Sequence, residues 1–539
     1  MTHELAQVPV DQPLTNPAPA TSEQDGEAPT PVGRRRGVGR PSPLLGWLLV
    51  SIAALGMFIS TPPSAGPDEP AQLTTAWFLT GHGLRIGPIE SFTIPASFAS
   101  DPCFKGAPDI TASCAPSRSS ALVTTSSSRV LTYAPPYYLV VGFGARLAAA
   151  LVGNEYADVG GRVASMILNF GALLLLSLYM RRRNYLWGTL LLLVSTPMAV
   201  FMGSVVNPSS WEITCGLVMA AILSEAVWSR RSLASGDWSR TTASILVIAC
   251  VALCLTRPIG WIWAIGLTVS ALALAPSVNR RLVVRIACAV APGLAMAMLW
   301  SYICPSSTPG AETGAGASPQ TVANLVSWFG QSLTFFPIRV YQMFGILGWQ
   351  DTPAPLILFL LNLEVWIALL LRLPSIRRAA VLCGVLWIVV LPSVIETGGW
   401  ALATANWWQG RYTLPFALGF TLLLVLRSGQ LVPRAISVAS GFSALSLGVM
   451  VWVNAIRYDF GVNFWGVPLS LAHQGISPVR LFLSVAVGVS LLLACAYLLV
   501  QAWRMTPDPP RKPKMPSAAP SAKRQALGLR WLRPHPRST

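Results

Sequence analysis

The chain has 539 residues, of which 53% are hydrophobic and only 11% charged; Lys and Arg outnumber Asp and Glu by 38 to 21, a net charge of +17. A soluble globular domain carries roughly 25% charged residues, so this composition excludes one and points to an integral membrane protein. The basic excess sits in the tails and in short loops beside apolar runs, which reads as membrane orientation, and no nucleic-acid partner is expected.

Apolar runs of about 18–25 residues, each long enough to cross some 30 Å of hydrocarbon as a helix, recur along nearly the whole chain and predict an all-α, polytopic fold. Residues 1–42 are rich in Pro, Ala, Thr and Glu and close with GRRRGVGR. Residues 504–539 are Pro-rich and basic. Neither stretch can bury a core, so both read as disordered cytoplasmic tails flanking a membrane domain over 43–503. Leu44 to Ser60 is expected to be a retained first span, because no small-residue cleavage site follows it. Further apolar runs fall at 134–152, 162–180, 185–203, 205–228, 243–256, 258–275, 284–304, 354–372, 379–396, 412–427, 435–453 and 479–503.

If every run crossed, Arg181 to Arg183 and the later clusters Arg230/Arg231, Arg280/Arg281, Arg377/Arg378 and Arg427/Arg434 would fall outside, against the positive-inside rule. The stretch APPYYLVVGFGARLAAALVG opens with two prolines, carries Arg146 and paired tyrosines, and is the natural exception. It is expected to be an interfacial or re-entrant helix within an outer loop, 62–161, which leaves about twelve spans and both termini in the cytoplasm. That arrangement collects the unusual polar residues on the outer face: PDEP in the first loop, VVNPSSWE, LTRPIGW, GILGWQDTPAP, TANWWQGRYTLP and NAIRYDFGVNFWG. A bundle with plain cytoplasmic loops and Asp, Glu, Arg, Trp and Gln on its outer loops has its working face outside.

The motifs PDEPAQ, YAPPYY, NPSSWEI, TRPIGW, GILGWQDTPAP and QGRYTLP, in this order, resemble the bacterial predicted-membrane-protein family known as domain of unknown function family 2142. The likeness covers about residues 45–500. Through that family the chain resembles the GT-C glycosyltransferases, in which the first outer loop carries an acidic pair and the donor is a polyprenyl-phosphate sugar. The resemblance implies a bacterial plasma-membrane enzyme that moves such a sugar to an envelope glycan or lipid acceptor. One departure is that members usually read PDEPAH, where this chain has Gln72.

The residues support the same chemistry from below. Glycosyl transfer to a hydroxyl needs a carboxylate to take the acceptor proton and positive charge for the departing phosphate. Asp68, flanked with Glu69 by Pro67 and Pro70, is the expected base; Glu69 is the expected second acid, and the two together are the place for a divalent cation if one is used. The plain alternative is a helix start, with Asp68 capping and Glu69 in the first turn. Arg257 and Arg411 interrupt apolar or aromatic surroundings and suit a lipid phosphate, the alternative being interfacial arginines that snorkel to water. Around Arg411, Trp407, Trp408 and Tyr412 either stack on the sugar or line the membrane interface, and Gln409 is expected to bind substrate with them. Asp351 either binds acceptor or a cation or caps the next helix; Asn207 and Glu212 either line the cavity or serve as a turn residue and a paired acid. Glu364, within LILFLLNLEVWIALLL, is expected to face the bundle interior.

Cys103 and Cys114 share the long outer loop and are expected to form a disulfide, while the remaining cysteines read as core residues. No other metal site and no nucleotide-binding signature stands out, which favours a lipid-linked donor over a nucleotide sugar. The competing readings are a transporter or flippase of lipid-linked sugars, for which Pro-broken helices and Glu364 speak, and a non-catalytic envelope-assembly protein.

Overall fold

The structure, a computed structural model, describes residues 43–84, 91–99, 101–125, 133–184, 186–228, 238–304, 321–371, 378–401, 408–428, 433–463, 468 and 477–504. The tail expected at 1–42, the tail expected at 504–539 apart from Arg504, which ends the last helix, and Trp407, Arg230/Arg231 and Arg377 lie outside these residues. The fold is a polytopic helical bundle, interrupted among the described residues only by two short antiparallel hairpins and an isolated bridge. In chain order the helices are α1 (Pro43–Ser60), α2 (Glu69–His82), α3 (Pro135–Leu151), α4 (Ala157–Met180), α5 (Trp187–Leu193), α6 (Pro197–Ser204) and α7 (Pro208–Trp228). They continue as α8 (Arg240–Thr256), α9 (Gly260–Ala273), α10 (Arg280–Ile303), α11 (Val322–Thr334), α12 (Phe336–Gly345), α13 (Leu356–Leu371), α14 (Arg378–Ala401, with a π-helical turn at Leu386–Val390), α15 (Leu414–Ser428), α16 (Pro433–Phe460) and α17 (Pro478–Arg504).

Six helices among the described residues are long and apolar enough to cross a membrane: α4, α7, α10, α14, α16 and α17. Four shorter apolar helices, α1, α8, α9 and α13, accompany them. The expected count of about twelve spans is not confirmed: among the described residues six helices, or seven if the bent pair α5–α6 is one span, meet the length, and prolines and turns cut other apolar runs into shorter pieces. Arg257-Pro258 separates α8 from α9, as the bias of a pre-proline residue away from helix requires. The run 185–203 is not a straight span either: α5 and α6 meet at Ser195-Thr196-Pro197 with an 88° bend, where Thr196 caps α6 through Ala199 N–H. This pair still connects the two ends of the bundle. Arg183, before α5, pairs with Glu225 near the end of α7, while Val206 and Asn207, after α6, touch Glu69 and Pro67 beside the start of α7.

Burial ranks the helices. Most of the span-length core of α7 (83%) and α16 (72%) is buried, against 28% for α14 and α17, so α7 and α16 are central and the others face lipid along one side. Glu364 on α13 is exposed, not turned inward as expected, and shares its face with Ile357, Leu360, Leu361 and Ile367. Cys288 on α10 is likewise exposed, whereas Cys215, Cys250, Cys254 and Cys495 are buried.

The first long loop has its own small core. Helix α2 packs parallel to α3, with Tyr138 donating to Gln72 Oε1 at 2.6 Å and Arg146 Nε donating to Thr80 Oγ1 at 2.9 Å. A Cβ on Gly142 would lie 2.1 Å from the Ala76 carbonyl, so glycine there permits the close approach. Helix α3 then runs antiparallel to α4, with Tyr137 against Ser165. It belongs neither to the six spans nor to the four shorter apolar helices. The hairpin β1 (Phe92–Pro95) and β2 (Leu122–Thr125) pairs Phe92 with Thr125 and covers Trp77 and Phe78. Cys103 and Cys114 are joined by a disulfide, Cα–Cα 6.2 Å.

Candidate functional site

The segment SAGPDEPA between α1 and α2 separates its two acids by backbone geometry. Asp68 adopts a left-handed conformation (φ 59°), which aspartate tolerates better than most residues, immediately before Glu69-Pro70 opens α2. The side chain of Glu69 is fully buried, whereas that of Asp68 is 46% exposed. Glu69 accepts four hydrogen bonds: from Arg162 Nε (2.7 Å) and Val206 N–H (3.0 Å) on one oxygen, and from Arg162 Nη2 (2.7 Å) and Gly66 N–H (3.1 Å) on the other. Arg162 also donates to the carbonyls of Thr61 and Pro62. This pair is a clamp that closes the loop onto α4, and it leaves Glu69 no lone pair for a proton or a cation. Glu69, expected as a second acid or as a metal ligand shared with Asp68, is in this arrangement the buried partner of Arg162.

Asp68 is different. It stands at the N-cap position of α2 but makes no side-chain bond to the helix amides, so it does not act as a cap. Its Oδ2 instead accepts from Arg411 Nη2 at 2.9 Å, across 343 residues of sequence. Arg411 lies in a single 3-10 turn, Gly410–Thr413, ahead of α15. A Cβ on Gly410 would fall 2.1 Å from the Arg339 carbonyl, so only glycine lets this turn seat on α12, where its N–H also donates to Gln342 Oε1. Next to Arg411, the ring of Tyr412 lies under the guanidinium of Arg257 at 4.3 Å. Burial pushes the Tyr412 phenol up, but the Arg411 and Arg257 guanidiniums outweigh it and hold the group below its ordinary value.

Arg257 occupies the extended break between α8 and α9. Its Nη1 donates to Ser209 Oγ at 2.9 Å, its Nε finds no acceptor, and Tyr133 stands beside it. Glu212, one turn into α7, is completely buried with neither carboxylate oxygen hydrogen-bonded; its nearest cation is Arg257 Nη1 at 3.8 Å. A cavity of about 250 Å³ opens on Arg257, lined by Tyr133, Pro258, Trp300 and Ser301. A second, almost entirely apolar groove of about 600 Å³ runs between α12, α13 and α15 and includes Phe336, Phe344 and Leu414, the last only three residues after Arg411.

Four segments far apart in sequence, around residues 68, 212, 257 and 411, thus meet at the loop-bearing end of the bundle. The model of a family described as predicted membrane protein (DUF2142) matches residues 51–420 and spans all four. The chain belongs to this family. No curated protein matches it.

Within this DUF2142 chain most of the other expected site residues are engaged in contacts inside the protein. Asn207 Oδ1 accepts from Ser209 N–H and its Nδ2 donates to the Pro67 carbonyl at 2.7 Å, so it is a turn residue that also pins the segment carrying Asp68. Asp351 is buried and does not cap α13; it accepts from Arg457, from Gly106 N–H and from Thr352. Burial holds its carboxyl above the ordinary value although Arg457 opposes that. Trp408 is packed edge-on against Trp263 and Tyr412 and donates to Thr413 Oγ1, so it props Tyr412 and offers no open face. Gln409 Oε1 is buried without a partner. Gln72, at the departure from the usual motif, is buried and serves as an acceptor for Tyr138.

Sequence reasoning missed Arg162, Arg457 and the pair Arg339–Glu396. Arg457 is fully buried in α16 and ties down the disulfide loop by donating to the carbonyls of Ile110, Phe104 and Ala107. Glu396, in α14, accepts from Arg339 and from Trp408 N–H and so fixes the start of the Arg411 turn. The signal available was a lone charge inside an apolar run, which implies a buried partner without naming it.

Proposed function

We propose that the protein transfers a sugar from a polyprenyl-phosphate donor to an acceptor hydroxyl at the end of the bundle that carries Asp68, and that this end faces away from the cytoplasm. The observation that carries the reading is the convergence of Asp68, Arg411, Tyr412 and Arg257, a half-exposed carboxylate beside two guanidiniums with unused donors. In this reading Asp68 accepts the proton from the acceptor hydroxyl as its oxygen bonds to the anomeric carbon. The bond from that carbon to the phosphate oxygen breaks, and the electron pair leaves with the lipid phosphate. Arg257 and Arg411 take the developing charge, each able to offer two parallel donors, with Tyr412 holding them apart. The apolar groove between α12, α13 and α15 suits the polyprenyl chain, since it reaches the same turn that presents Arg411.

The bent pair α5–α6 favours a second reading, movement of a lipid-linked sugar across the bilayer, because broken helices are a transporter device. Both halves of that pair are packed in the core, which weighs against a moving gate. Reconstitution in liposomes with a polyprenyl-phosphate sugar and a hydroxyl acceptor separates the two. A new glycosidic product supports transfer, and transbilayer movement of the intact donor without product supports transport.

A further inference from the structure

A third cavity, of about 590 Å³, lies within the first long loop and belongs to neither the Arg257 cavity nor the apolar groove. Its walls are Pro62, Pro63 and Ser64 after α1, the segment from Ala112 to Ser119 around the disulfide, and Ser477 with Arg480 at the start of α17. The volume falls in the range of roughly 300–1,000 Å³ that small-molecule sites occupy.

Two guanidiniums line it. Arg118 is committed, donating to Asp158 at 2.8 Å and to the Glu155 carbonyl. Arg480 is half-buried, and among the described residues no carboxylate lies in ion-pair range of it. Its charge adds to those of Arg118 and Arg162, with only Asp158 opposing. Among the described residues the cavity therefore keeps one cation with no carboxylate paired directly to it. The hydroxyl of Ser97 is buried there with no hydrogen-bond partner, and Ser117 adds a second hydroxyl. Pro62, Pro63, Pro102 and Pro116 supply flat apolar walls. A cation, free hydroxyls and small apolar faces together match a ligand that is at once acidic, rich in hydroxyls and faced with C–H groups.

We propose that this cavity binds an acidic saccharide, with its carboxylate or phosphate on Arg480 and its hydroxyls on Ser97 and Ser117. The site does not depend on the transfer chemistry proposed above, although it shares the loop from Pro62 to Asp68 with it. The test is binding to the full-length protein in nanodiscs, without any lipid-linked donor, measured calorimetrically with four probes: a glucuronic-acid-terminated disaccharide, its glucose-terminated counterpart, a disaccharide phosphate and inorganic phosphate. At least one acidic disaccharide should bind, and the carboxylate and phosphate arms identify which acid is used. Arg480→Gln should weaken that binding roughly tenfold or more, as loss of a charge-assisted contact implies, while Arg480→Lys retains most of it. Asp68→Asn should leave it unchanged, so a failure of the transferase reading is seen separately. Equal affinity for the neutral disaccharide, equal affinity for inorganic phosphate, no binding of any probe, or an Arg480→Gln variant that folds and binds normally would each overturn the proposal.

Discussion

Asp68 and Glu69 are neighbours in sequence and opposites in structure. Glu69 sits in a clamp in which every acceptor site is used, and Arg162 commits four of its five donors to Glu69 and to the Thr61 and Pro62 carbonyls. Asp68 has one charged partner and nearly half its side chain in the open, and the companion acid Glu212 accepts no hydrogen bond at all. A buried ion pair with complete bonding holds a fold in one arrangement, whereas charges left partly unmatched at the end of a bundle are free to meet a ligand. The difference leaves the first pair fully occupied within the fold and the second cluster open to a ligand.

The sharpest way to break that comparison is Asp68→Asn. It keeps shape and removes the base, so sugar transfer in liposomes should fall by roughly 10²–10⁴-fold with yield and thermal midpoint unchanged. An inactive variant that also fails to fold would place Asp68 in the structural class. Glu69→Gln should do the reverse: Arg162 stays buried with its charge uncompensated, a loss of about 3–5 kcal/mol, read as a lower midpoint and poor recovery from the membrane. Normal stability there would dissolve the clamp.

Cys103→Ser tests a second structural tie, the disulfide segment held by Arg457, and should destabilise that loop by roughly 2–4 kcal/mol, seen as faster amide exchange over residues 101–116. Exchange confined to these residues is expected because Arg457 still holds three of their carbonyls. Arg257→Lys should weaken binding of a polyprenyl phosphate by about tenfold, since the two-pronged contact becomes one, while Arg257→Leu should weaken it further. Undiminished binding in both would return Arg257 to the role of membrane anchor. The smallest effect is expected for Glu212→Gln: no hydrogen bond is lost, stability is kept, and phosphate binding tightens a few-fold as Arg257 loses its competing anion. Weaker binding would mean that Glu212 itself contacts the ligand.

Much of the candidate site was visible in the chain as scattered polar motifs, and its assembly was not. Arg257 announced itself because an arginine before proline breaks an apolar run, and the Gly410-Arg411 turn because a glycine beside an arginine marks a close approach. That Arg411 reaches Asp68 depends on α12 seating Gly410 and on Glu396 holding Trp408, contacts made by residues that carry no motif. Asp351 and Trp408 looked equally promising by residue type and turned out to be packed, because what surrounds a side chain is contributed by distant segments. Glu364 fell the other way, onto an exposed face, since hydropathy alone carries no information about which side of a uniformly apolar helix meets its neighbours.

By itself the sequence determined that this is a polytopic helical membrane protein and where prolines interrupt its helices, because hydropathy and the restriction that proline imposes on its neighbour act locally. Only the tertiary structure decided that α5 and α6 bend through 88°, that Glu69 turns inward while Asp68 turns out, and that Asp68 meets an arginine 343 residues away. The reason is that a buried charge in a low-dielectric bundle must find its counter-charge wherever the fold brings one, and that choice rests on long-range packing and on one left-handed residue at position 68.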